Sequence, residues 1–491
     1  MSASLELQPD LHRSRRADKR ELTLHPDRAL PADTRQRAVA REIYEQSARL
    51  PLICMHGHVE AEVFADNKPF TDPAQLLVVP DHYVTRMMVS QGIAPEALGI
   101  PRVDGGAVET DSRDIWRTFC GNWKLFRGTP SRYWLEHELV EVFGVDLVPG
   151  VETADAIYDQ IAARIAEPGF RPRQLLDRFS IELISTTDPA TSDLRHHARL
   201  AGQGLGERVV PTFRPDAVFH VDRPGWRAET ARLAEVSGVD TSTYAGFLDA
   251  LRERRRAFVA AGGLATDHGH LSADTTPMSE TAAAVLYARA LAGPVSPEEV
   301  QAFAAHMLFV TAGMACEDGL VMQIHPGVLR DHHTGVLARH GQDKGFDIPV
   351  ATEFTRSLRP MLERYGHDPR FRTILFTVDE TVYSRELAPL AGAYPSLRLG
   401  APWWFLDSPE GMRRFREAAT ETAGFYNTSG FVDDTRAFAS IPARHDLSRR
   451  IDAGYLARLV LEHRISQHEA VETAIDLTYN LPKIAYSRRS A

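Results

Sequence analysis

His56-Gly57-His58 sets two imidazoles two residues apart in a short apolar context. On a strand, residues i and i+2 point to the same side, so both rings can reach one metal, and Gly57 removes bulk between them. Asp434 is the oxygen donor that such a pair lacks. Two histidines and a carboxylate leave coordination open for substrate or water. Asp433 is adjacent, but strand alternation turns it away, and it reads as a cap or salt-bridge partner. Further polar residues recur where apolar runs end: Asp188, Arg214, Asp267 with His268 and His270, His325, Asp379, Trp403 with Trp404, and Arg436 beyond Asp434. A cap, a turn aspartate or a core histidine explains any one of them. It does not explain eight run ends in succession, so they are expected to share one site, with His268 and His270 left outside it as structural.

Positioning these residues requires repeated short strands. The runs are LPLICM, SIELISTTD, RVVPTFRPD, GGLATDHGH, LVMQIHPG, TILFTVDE, LRLGAPWW and NTSGFVDDTR, most of them separated by an amphipathic helical stretch. Repeated βα units imply a parallel sheet, and eight of them predict an α/β fold of the (β/α)8 TIM-type barrel class. All strand C-termini then open on one face, and Asp434, closing the eighth strand, lies beside the first. An open doubly wound sheet would usually carry a glycine-rich phosphate turn, but neither GxGxxG nor Walker-A spacing occurs. Residues 1–50 read as a polar arm and a helix capped by Asp33, packed on the barrel. Residues 51–59 are the first strand. Residues 60–178 are a large, mainly helical insertion, with helices expected over 82–91, 134–143 and 155–166. Residues 179–491 are the rest of one catalytic domain, ending in a C-terminal helical segment over 444–464 and 467–481.

The chain of 491 residues has 56 Lys and Arg against 66 Asp and Glu, a net charge of −10. That balance argues against a nucleic-acid or anionic-membrane partner. Cys54, Cys120 and Cys316 show no CxxC spacing and read as reduced thiols. No signal-peptide pattern and no stretch of eighteen apolar residues is evident, so a soluble, cytoplasmic protein is expected.

HGH at 56–58, DHYVTRM at 81–87, TTDPATSDLRHH at 186–197, TFRPD at 212–216, QIHPG at 323–327, WWF at 403–405 and DDTRAF at 433–438 occur together and in this order. In that combination the chain resembles the uronate (glucuronate) isomerases, a branch of the amidohydrolase superfamily of metal-dependent barrels. The resemblance runs from LTLHPDR near residue 22 to the C-terminal helix. It implies His56, His58 and Asp434 as ligands of one divalent ion, zinc being the expected metal. It implies His82, Tyr83, Arg214, His325 and Arg436 as substrate-facing groups, with Trp403 and Trp404 as a wall. Members of the family often carry Ser-Pro before the HxH and Asp-Pro shortly after it, where this chain has Cys54-Met55 and Val59-Glu60.

The implied reaction interconverts an aldehyde uronate and a 2-keto uronate: D-glucuronate with D-fructuronate, or D-galacturonate with D-tagaturonate. A proton leaves C2, a cis-enediolate forms, and a proton arrives at C1; a hydride shift stays open. Arg214 and Arg436 suit a carboxylate, because a guanidinium fork matches its two oxygens. The metal, Arg436 and Tyr83 are candidate electrophiles, Tyr83 by donating to a developing alkoxide. Asp434 or a hydroxide on the metal is the candidate base, and His82 joins Tyr83, Asp434 and Arg436 in the catalytic set. His325 is a third nitrogen ligand, a support behind the ligands or a substrate contact. The alternative is a mononuclear metal-dependent hydrolase acting on a sugar-acid lactone, ester or amide. The fourth run, ending ATDHGH, lacks the bridging lysine of two-metal hydrolases, which disfavours two-metal chemistry. A non-catalytic sugar-acid sensor is disfavoured too, because binding gains nothing from an open metal site. The partner expected is a small-molecule uronate, with a homo-oligomer left open.

Overall fold

The computed structural model describes residues 21–488. Most of the expected N-terminal arm, residues 1–20, lies outside the described residues. Seven short parallel strands form one curled sheet in chain order: Leu52–Cys54, Ile181–Pro189, Val209–Arg214, Ala265–His268, Val321–Ile324, Thr373–Leu375 and Leu397–Leu399. Their side chains are mostly buried, as expected of strands covered on both faces. Register runs from Cys54 opposite Ile184, through Phe213 opposite Thr266 and Met322 opposite Thr373, to Leu375 opposite Leu399.

The eighth run differs from expectation. NTSGFVDDTR contributes a single parallel bridge, Thr428 to Leu399, and is otherwise irregular. Gly430 at φ +77° and Asp434 at φ +40° take it out of the extended region, which ends the ladder. Closure is completed by two backbone hydrogen bonds: Asp434 N–H donates to His56 C=O at 3.0 Å, and His58 N–H donates to Thr435 C=O at 3.0 Å. The barrel is closed at the histidine pair itself.

Every secondary-structure element named between Cys54 and Ile181 among the described residues is a helix. These include His82–Val89, Pro130–His137 and Ala154–Ala166. Trp116, Phe119, Trp123 and Phe126 form the aromatic centre of this region, which shares a core with the first two strands. Asp33 caps the helix Thr34–Ser47 by accepting from Gln36 N–H at 2.8 Å. That helix packs on Ile441–Leu461, the long C-terminal helix. The helix Pro297–Asp318 is long and apolar enough to cross a membrane by composition, with mean hydropathy 1.2, which the expectation of no such stretch did not anticipate. Its most apolar window is 61% buried inside the protein, and its ends are set by a Ser296–Glu299 capping box and by Gly319 at φ +75°.

Candidate metal centre and substrate pocket

The first strand ends just before His56, and the two closure bonds bring Asp434 over it. Asp434 Oδ1 lies 3.1 Å from His58 Nε2 and 3.4 Å from His56 Nε2. His56 also faces the fourth strand, with Nδ1 3.7 Å from Asp267 Oδ1. Asp267 in turn accepts from His325 Nε2 at 2.5 Å and lies 3.5 Å from Arg214 Nη1. His56 thus belongs to two groups of potential ligands, His56–His58–Asp434 and His56–Asp267–His325.

Both groups fit a divalent cation. Buried polar groups are normally hydrogen-bonded. Here both ring nitrogens of His56, Asp267 Oδ2 and His325 Nδ1 are buried without a hydrogen bond. Burial opposes ionisation of Asp434, but His56 and His58 beside it hold its carboxyl well below the usual range. Burial lowers the basicity of His56, while Asp267 and Asp434 outweigh it and raise the pKa to about 9. A proton on that ring occupies the place a metal would take, so loading would release it.

The remaining predicted residues gather on the same cavity of about 610 Å³, whose lining includes His82, Tyr83, Arg214, His325, Trp403, Trp404 and Arg436. Trp403 is 5% exposed, with its ring 5.0 Å from that of His325 and 6.3 Å from that of His56. Trp404 is half-buried and stacks on Phe405 at 5.0 Å. Arg214 donates to Asp216 at 3.1 Å, and burial is outweighed by Asp216 and Asp267, which raise its pKa. Arg436 pairs with Asp343, which also stands 3.9 Å from His82 Nδ1. Burial, opposed by Asp343, lowers the pKa of His82.

The Tyr83 hydroxyl donates to Asp407 at 2.5 Å and accepts from Phe405 N–H at 2.9 Å. Asp433 turns away from the two histidines and accepts from His445 at 3.1 Å, with the Cys54 thiol 3.6 Å from the same nitrogen. His268 bonds to Thr266 at 2.9 Å, and His270 groups with Asp216 and His220. Asp188 pairs with Thr186, and burial raises its pKa to about 7. Asp379 accepts from Thr381 as a turn residue. Glu60, one of the departures from the family pattern, reaches the pocket lining.

Sequence reasoning placed Asp267 at a strand end without giving it a role. The signal was there, since it shares the strand-end position of the others. Asp343, Asp407 and Arg444 carried no such signal, because they sit in loops and on a helix.

A family model described as glucuronate isomerase matches residues 34–486. A uronate isomerase of Rhizobium meliloti is 52% identical over 94% of this chain and 99% of its own length. The crystal structure of glucuronate isomerase from Caulobacter crescentus is 50% identical and superposes with a TM-score of 0.94, covering 96% of this chain and 98% of that one. The crystal structure of uronate isomerase from Thermotoga maritima, at 28% identity, gives a TM-score of 0.88 over 95% of this chain and 100% of that one.

Proposed function

Because the chain belongs to the glucuronate isomerase family, we propose that it interconverts D-glucuronate and D-fructuronate, with D-galacturonate and D-tagaturonate as a second pair, in the cytoplasm. The observation that carries the reading is the convergence of His56, His58 and Asp434 with two guanidiniums, Arg214 and Arg436, on one cavity. We assign one divalent ion, zinc, to His56, His58 and Asp434; when bound it supplies a Lewis acid towards the sugar oxygens.

The reaction delivers the C2 proton to C1 and the O2 proton to O1, through a cis-enediolate. Asp434 keeps Oδ1 on the two imidazoles. Its other oxygen is our choice to carry the carbon-bound proton. Arg214 and Arg436 bind the carboxylate and the charge that builds on the enediolate, a task for fixed donors already aimed at the site. Trp403 and Trp404 face the C–H side of the open chain, and His82 stands at the pocket wall beside Asp343.

The test is incubation of the zinc-loaded protein with a panel of uronates in deuterated water, followed by proton NMR. Loss of the anomeric signals of glucuronate, with deuterium entering at the reacting carbons, is expected. Loss without deuterium points to a hydride shift, and no loss for any uronate overturns the proposal.

A further inference from the structure

Arg214 ends the third strand, and its C=O accepts from Ala190 N–H at 2.9 Å, so its backbone is fixed. Its guanidinium lies between two carboxylates. Nε donates to Asp216 Oδ2 at 3.1 Å, and Nη1 stands 3.5 Å from Asp267 Oδ2. Asp216 is 3% exposed, and both its oxygens accept from Gly269 N–H, at 3.0 and 3.2 Å. Burial opposes ionisation of Asp216, but Arg214, with His270 and His220, outweighs it and holds the carboxyl below the usual range. The Gly269 amide is itself held in place. Backbone pairing of the fourth and fifth strands continues past their ends, with His325 N–H donating to His268 C=O at 3.0 Å and Gly327 N–H to His270 C=O at 3.1 Å. His268-Gly269-His270, expected from the sequence to be structural, thus presents a fixed N–H to Asp216. A Cβ at residue 269 would lie 2.8 Å from His325 Cε1, 2.9 Å from Asp216 Oδ2 and 3.2 Å from Arg214 Nη2, so a glycine is what lets the three side chains meet. A guanidinium offers a carboxylate either Nε with one Nη, side-on, or both Nη groups, end-on. With Nε taken by Asp216, the Nη groups are left to a ligand of the cavity, which Arg214 lines.

We propose that Asp216, anchored on the Gly269 amide, is a positioning residue that pins Arg214 at Nε and leaves its two Nη groups as an end-on fork for anionic oxygens of the substrate. Asp216 is not among the residues lining the cavity, so it acts through Arg214. A lysine cannot take the place of Arg214, because an ammonium has one nitrogen and cannot be pinned at one atom while binding through others. The identity of the ligand rests on the isomerase reading; the hold of Asp216 on Arg214 rests on the geometry alone.

The experiment is a double-mutant cycle on the metal-loaded protein, with Asp216→Asn and Arg214→Met alone and together, and Arg214→Lys beside them. Asparagine keeps an acceptor for the Gly269 amide but loses the charge that pins Nε. Two readouts are taken: kcat and KM for glucuronate, and calorimetric binding of the hexonate made by reducing the aldehyde of glucuronate, which keeps the carboxylate and cannot isomerise. With Arg214 present, Asp216→Asn is expected to raise KM and weaken hexonate binding by about tenfold each while kcat stays within about threefold, as for a contact made equally in the ground and transition states. In the Arg214→Met background its further effect is expected to stay within about twofold, because residues acting as one unit are non-additive. Arg214→Lys is expected to bind hexonate within about threefold of Arg214→Met. Metal content is expected to be equal in all of these proteins. Equal effects of the Asp216 change in both backgrounds overturn the proposal. Should Asp216→Asn fail to fold, the lysine variant decides: hexonate binding of parental strength overturns the proposal, and a loss like that of the methionine variant supports it. Wild-type protein that binds hexonate but turns over no uronate overturns the isomerase reading alone, and absence of binding by wild type overturns both.

Discussion

Arg436 enters the pocket paired with Asp343, and its side chain is 38% exposed, so the fold does not lean on it. Arg436→Met is expected to keep the metal and the thermal midpoint while glucuronate turnover falls about 10²–10³-fold, or about 3–4 kcal/mol. Metal content, midpoint and turnover measured on one preparation decide this; activity within about threefold of the parent removes Arg436 from the site. His58→Asn tests the other half of the centre and is expected to lower metal occupancy from about one ion per chain. Elemental analysis of the parent showing two tightly held ions, or none, would count against the ligand set. His56, His58 and Asp434 could be read in advance because the first two share a two-residue spacing and barrel closure places the third. The pairing of His325 with Asp267 could not, since it forms between neighbouring strands and no local spacing reports it. Tyr83 was legible as a pocket residue, yet the direction of its hydrogen bond depends on Asp407, hundreds of residues away.

At the scale of elements, repetition was easier to read than regularity. Seven runs became strands because each is an apolar segment buried between the filled barrel interior and the helices outside it. The eighth was legible as a position but not as a conformation, because positive φ at Gly430 and Asp434 is a tertiary demand with no composition signature. The helix Pro297–Asp318 shows a different effect of burial. Its His306 accepts from Met278 N–H at Nδ1, 3.1 Å away, which leaves Nε2–H to donate to the Tyr244 hydroxyl at 2.7 Å. A second proton on this ring would confront the Met278 amide, and burial lowers its pKa to about 4. The neutral ring is favoured in the fold, whereas the unfolded chain takes up the proton below about pH 6.5. Its contribution is therefore present above that pH and is lost as the pH falls towards about 4, by up to about 3 kcal/mol. Urea unfolding of wild type and His306→Gln between pH 7 and pH 4 checks this, with the stability difference expected to shrink on acidification. A constant difference would mean that His306 does not titrate with folding.

For the molecule as a whole, the chain is acidic while its cavity presents Arg214 and Arg436. A ligand without a carboxylate forgoes the charge-assisted hydrogen bonds that those guanidiniums offer, roughly 1.5–3 kcal/mol each. Glucose is accordingly expected to be a very poor substrate beside glucuronate, and comparable kcat/KM for the two sugars would refute carboxylate recognition.

The seam that closes the barrel also has a temporal meaning. His56 and His58 are translated near the start of the chain and Asp434 near its end, yet the two backbone hydrogen bonds joining those segments build the centre. A nascent chain stopped short of residue 434 lacks the carboxylate of the proposed His56–His58–Asp434 set, although Asp267 and His325 are already present. In the ligand set proposed above, filling the site therefore waits on the Asp434 segment docking against the first strand, so loading of that set would follow ring closure.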